Sequence, residues 1–78
     1  MRDMQQTVNV LMEDLESGEQ FIVELTYTWD SVTEGAPTFD VIILDARQLA
    51  RQYFEDPDFI SLITEEEAEA LGLDTYTE

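Results

Sequence analysis

Alternation of apolar and polar side chains dominates the first third of the chain. In "QTVNVLM" Val8, Val10 and Met12 fall on one face and Asn9 and Leu11 on the other, the two-residue period of a strand. "FIVELTYTW" repeats the pattern more clearly. Phe21, Val23, Leu25, Tyr27 and Trp29 share one face, and Ile22, Glu24, Thr26 and Thr28 share the other. Between the two runs, Ser17-Gly18 supplies a hairpin turn in which glycine takes the positive φ. "DSVTEGAP" reads as a loop closed by Gly35 and Pro37. The β-branched run "TFDVIILD" predicts a third strand, with Phe39, Val41 and Ile43 inward.

The period changes after Asp45, which stands where an N-cap belongs. Ala46, Leu49, Ala50, Tyr53 and Phe54 recur at helical spacing and form one stripe, with Arg47 and Arg51 one turn apart on another face. Asp56-Pro57 is the cap-then-proline signal of a short helical turn. In "ITEEEAEALG" Thr64 and Glu67 have capping-box spacing, Ile63 and Ala68 can form a hydrophobic staple, and Gly72 stands where a helix C-terminus takes glycine. The expected fold is α+β, a three-stranded antiparallel meander followed by one or two short helices (β-β-β-α-α). The 78 residues leave room for a single small domain, 1–78.

Composition sharpens this picture. Hydrophobic residues make up 44% of the chain, which is too apolar for a disordered acidic tail. With no cysteine there is no disulfide framework. No run is long and apolar enough for a membrane span, and "MRDMQQ" lacks the apolar stretch of a secretory signal, so a soluble, cytoplasmic protein is expected.

Charge is the unusual property. Nineteen Asp and Glu face three Arg, a net charge of −16. Self-repulsion on this scale opposes compaction, keeps the chain soluble and repels nucleic acid and anionic membranes, so neither is expected as a direct partner. Part of the acidity has a local explanation. Glu65, Glu66 and Glu67 occupy a first helical turn, where the macrodipole favours anions. Glu69 does not fit that account, because it lies four residues from Glu65 and adds about 0.2–0.5 kcal/mol of repulsion. The helix tolerates this acid rather than requiring it.

Candidate catalytic chemistry is sparse. The chain has no His, Cys or Lys, hence none of the usual general bases, thiol nucleophiles or Schiff-base residues, and so small a core has little interior in which to shift a carboxylate pKa. No glycine-rich phosphate loop is present, and neither a cofactor nor an enzymatic activity is expected. Asp56, Asp58 and Glu67 match positions 1, 3 and 12 of a calcium-binding EF-hand loop, but Ile60 and Ser61 stand where an oxygen ligand and the turn glycine are needed, so no metal site is expected. The aromatic face of the second strand reads as core, since phosphates would be repelled from a base-stacking platform on this protein.

Two acidic groups stand out as candidates for binding a partner: Glu13, Asp14, Glu16 and Glu19 around the hairpin, and Glu65, Glu66 and Glu69 on the last helix. The strand reading of 38–45 also leaves Ile42 and Leu44, with Ile22 from the central strand, as an apolar strip, expected to be the interface of a homodimer. Small size, the near absence of bases and the segments "EDLESGE", "FEDPD" and "TEEEAE" resemble, at the level of class, the small acidic inhibitors encoded by phages and mobile elements, among them anti-CRISPR and anti-restriction DNA mimics. The resemblance implies a non-enzymatic protein that occupies the basic groove of a nucleic-acid-binding protein. Two other readings fit the same charge: an acidic adaptor or assembly module that pairs with a basic protein, and the general acidity of a protein from a high-salt cytoplasm.

Overall fold

The computed structural model describes residues 3–78. The order of elements is β1 (Asp3–Asp14), β2 (Gln20–Asp30), α1 (Phe39–Ala50), β3 (Pro57–Ile63), α2 (Glu65–Leu71) and β4 (Thr75–Thr77). They form an α+β fold whose mixed sheet has the order β3-β1-β2-β4. The β1 strand pairs antiparallel with both β2 and β3, and β4 lies parallel to β2.

The hairpin follows the alternation. Val8, Val10, Met12, Phe21, Val23 and Leu25 are buried on one face of the sheet, where they meet Ile42, Ala46, Leu49 and Ala50 of α1. Tyr27 packs at the edge of this core. Gly18 closes the turn at φ +77, a backbone conformation that favours glycine. Asp14 carboxylate oxygens accept from Ser17 Oγ at 2.9 Å and from the Asp56 backbone N–H at 3.0 Å, which also ties the entrance of β3 to the hairpin.

Segment 38–45 is helix, not strand. Thr38 is the N-cap and Asp45 lies within α1. The decisive stripe is Ile42, Ala46, Leu49 and Ala50, at i, i+4, i+7 and i+8. It extends the helical pattern one turn further back than Asp45, and burial of that stripe outweighs the β preference of Val41, Ile42 and Ile43. The inward trio of a strand reading is accordingly not a core: Phe39 and Val41 are exposed and Ile43 is half-buried.

The Asp56-Pro57 signal opens a strand rather than a helical turn. Proline without an N–H is tolerated at the first position of an edge strand, and Pro57 is buried there. A bulge hides the alternation of β3: Met12 faces Phe59 while Leu11 faces Ser61, which leaves Ile60 as the extra residue. The last helix forms as its sequence predicts. Glu67 N–H donates to Thr64 Oγ1 and Thr64 N–H donates to Glu67 Oε1, both at 3.1 Å, and Gly72 ends the helix at φ +63.

The short β4 strand has no distinct sequence signal. It is held by the backbone pairing of Thr75–Thr77 with Ile22–Glu24 and by Tyr76, whose ring stands edge-on to Phe21 and Phe54. Phe54 in turn stacks on the fully buried Phe21 at 4.0 Å between ring centroids.

Candidate acidic binding surface

Because β3 and β4 form opposite edges of the sheet, the chain between them must cross one face. It crosses the face away from α1, where the register aligns Asn9 with Glu24 and Leu11 with Ile22. Glu65, Ala68, Glu69, Gly72 and Leu73 line a concavity of about 340 Å³ together with Asn9, Glu24 and Thr75 of the strands. The like-charged pair Glu65 and Glu69 thus shares a concavity with a third carboxylate, that of Glu24. Glu66 does not line it, so the candidate helix group divides: two acids face the concavity and one stands outside.

The hairpin group divides as well. Glu16 and Glu19 are exposed at the turn and Glu13 is half-buried on the outer sheet face. Asp14 is 5% exposed and accepts hydrogen bonds from Ser17 and Asp56, so its carboxylate serves the turn and is not presented to a partner. Burial works to raise its pKa, but the hydrogen bonds from Asp56, Ser17 and Glu16 outweigh burial and hold it below the usual carboxylate value. Roughly 17 Å of strand separates Asn9 from Asp14, so the two acidic groups are distinct surfaces.

The expected apolar strip does not form. Ile42 is buried against the core from α1, Leu44 is 54% exposed on the helix, and Ile22 is fully buried in the sheet, so the three residues share no face. The basis for a homodimer through them is removed.

Other acids hold the fold together. Asp45 accepts from the Tyr27 hydroxyl at 2.8 Å, Asp30 accepts from Val32 N–H at 2.9 Å, and Glu67 completes the capping box. Asp58 lies 3.8 Å from the Arg47 guanidinium. The remaining acids make no side-chain hydrogen bond or ion pair among the described residues.

Glu24 and Asn9 were not among the candidates drawn from sequence. A signal was present, since a glutamate inside an otherwise apolar strand sits on the face opposite the core, and Ser17-Gly18 sets the register that places it beside Asn9. What lies over that face is decided by the crossing of α2, which no local pattern encodes.

Among the described residues no group of three or more Asp or Glu side chains is arranged to hold a metal ion, and no helix is long and apolar enough to cross a membrane. No family model, curated protein or solved structure matches the chain.

Proposed function

We propose that this domain is a non-enzymatic acidic inhibitor that imitates the charge of nucleic acid and occupies the basic groove of a nucleic-acid-binding protein. The observation that carries this reading is the surplus of carboxylates with no task in the fold, displayed on an elongated body. The molecule measures 45 × 24 × 18 Å and bears a net charge of −16. A DNA duplex of the same length carries about 26 phosphate charges. The protein therefore presents somewhat over half the linear charge density of DNA on a scaffold fixed by a four-stranded sheet.

The acidic-adaptor reading keeps one observation in its favour. Val41 and Leu44 are exposed on α1, and apolar area of that kind supports association that survives salt. Salt dependence separates the two.

The test is capture by the immobilised protein from a host lysate at about 0.15 M and about 1 M salt, where the Debye length falls from about 8 to about 3 Å. Mimicry expects a basic nucleic-acid-binding protein retained only at the lower salt, and its nucleic acid released in competition with this protein. Retention that persists at high salt, or a captured protein that keeps its nucleic acid, would replace mimicry with the adaptor reading.

A further inference from the structure

We propose that the concavity between α2 and the outer sheet face receives the guanidinium group of an arginine side chain from the basic partner. The inference rests on the acidic-binder reading above and names the chemistry of one of its contacts.

Acids alone would not make this a site. The second observation is Asn9, which is only 7% exposed, lines the concavity, and makes no side-chain hydrogen bond among the described residues. Among the described residues no side-chain nitrogen or oxygen is both sealed from solvent and unpartnered, so the polar atoms of the Asn9 amide keep a small exposure. A nearly buried amide without a protein partner retains its full hydrogen-bonding capacity for whatever enters.

The lining sets the chemical class. Glu24, Glu65 and Glu69 repel anions and attract a cation. The acids are not arranged as metal ligands, which favours an organic cation over a divalent ion. The lining residues able to accept a hydrogen bond are spread over several elements: Glu24 on β2, Glu65 and Glu69 on α2, Asn9 on β1 and Thr75 on β4. A planar guanidinium with five fixed donors serves such dispersed acceptors, whereas an ammonium group has three donors at one point. Gly72 leaves open space beside the helix end, since a Cβ built there meets no atom within 4 Å. The local cost fits the same reading, because the Glu65–Glu69 repulsion is relieved when a cation lies between them.

The experiment titrates the isotopically labelled protein with N-acetyl-arginine amide, N-acetyl-lysine amide, the neutral isostere N-acetyl-citrulline amide, and calcium chloride, reading amide chemical shifts. The expected result is a saturable shift of the Asn9 side-chain amide and of the Gly72 and Thr75 backbone amides with the arginine probe. The lysine probe should bind more weakly and citrulline should give no shift. Glu24→Gln and Glu69→Gln should each weaken the arginine midpoint by about fivefold. Both replacements keep size and polarity, and the second removes a repulsive pair, so the fold is retained. A linear shift, equal shifts with lysine and arginine, or midpoints unchanged in both variants would overturn the assignment. A saturable calcium shift at the same amides would make this a metal site instead.

Failure here is distinguishable from failure of the function itself. Capture of a basic protein that is undiminished by both glutamine variants, with no arginine shift, would remove this site and leave the acidic-binder reading standing. An arginine shift without any basic partner in the capture would leave the site without that function.

Discussion

The Tyr27 hydroxyl donates a 2.8 Å hydrogen bond to Asp45 Oδ2, joining the outer half of β2 to the middle of α1. Beyond Leu25, β2 pairs only with β1, since β4 reaches no further than Glu24 and β3 no further along β1 than Asn9. This bond is thus a main link between the protruding ribbon and the rest of the domain. Tyr27→Phe should lower the stability of the domain by about 1–2 kcal/mol, seen as a lower urea midpoint with an unchanged m-value. Burial, the bond to Asp45 and the charges of Asp45 and Glu78 hold the Tyr27 hydroxyl above the usual tyrosine range. A raised folded-state pKa gives stability that is complete below the unfolded value of 10.0 and is lost as pH rises beyond it. Alkaline unfolding should accordingly be less steep in the phenylalanine variant.

Acid should weaken the domain through Asp14. Its hydrogen bonds lower the folded pKa below the ordinary aspartate value of 3.8, so its contribution is present above that value and is lost as pH falls through the folded pKa. Asp14→Asn should melt lower than the parent at pH 7, and the gap should close below about pH 4. Comparing the two proteins at each pH cancels the carboxylates they share. A gap independent of pH would show that the Asp14 charge contributes nothing to the turn.

The hairpin and the last helix were legible because their signals are local: two-residue alternation around Ser17-Gly18, and reciprocal capping by Thr64 and Glu67. The strand expected at 38–45 failed for a physical reason. Val41, Ile42 and Ile43 favour strands individually, but Ile42 begins the stripe completed by Ala46, Leu49 and Ala50, and only the helix buries all four. At β3 the bulge at Ile60 breaks the alternation that would have revealed the strand. The candidate surface was half legible. Glu65 and Glu69 could be found by their unfavourable spacing, whereas Asn9, Glu24 and Thr75 join them only through the crossing of α2 and the parallel addition of β4.

That parallel addition depends on aromatic packing. With only three paired residues, β4 gains its hold from the Tyr76 ring against Phe21 and Phe54. Tyr76→Ala should release β4 while the rest of the sheet persists, because the antiparallel core of β1 and β2 does not need it. Hydrogen exchange should report this at the Ile22 amide, which donates to the Asp74 carbonyl at 2.9 Å. The protection of that amide should fall by roughly tenfold or more, with Val10 and Val23 nearly unchanged. Phe21→Ala removes a fully buried ring and should cost about 3–5 kcal/mol, a large share of the stability of a domain this small.

Salt should distinguish functional acidity from adaptation to a saline interior. A mimic has to fold at physiological ionic strength, where the Debye length is about 8 Å and repulsion between neighbouring carboxylates is only partly screened. The melting temperature is expected to rise between about 0.01 and 0.15 M salt and then to level off. A protein that remains poorly folded until salt is molar would point to halophilic acidity and sink the mimicry reading.

Glu69→Lys offers a test in which stability and binding move in opposite directions. In the parent, Glu69 stands one turn beyond Glu65 on the same side of α2, a repulsive pair. Lysine at position 69 makes the pair attractive in its better orientation, with glutamate on the N-terminal side. Together the two changes should raise the stability of α2 by about 0.5–1 kcal/mol, visible as slower amide exchange at Ala68 and Leu71. Binding to the basic protein retained in the capture experiment should nevertheless fall, because the reversal puts a cation where the partner's cation is expected. Glu66→Lys, outside the concavity, should weaken binding less, and Glu16→Lys at the exposed hairpin turn least. The ordering is the diagnostic part, since all three variants change the net charge equally. If they weaken binding to the same degree, recognition depends only on total charge. If Glu16→Lys is the most damaging, the recognition surface lies at the hairpin instead of at α2.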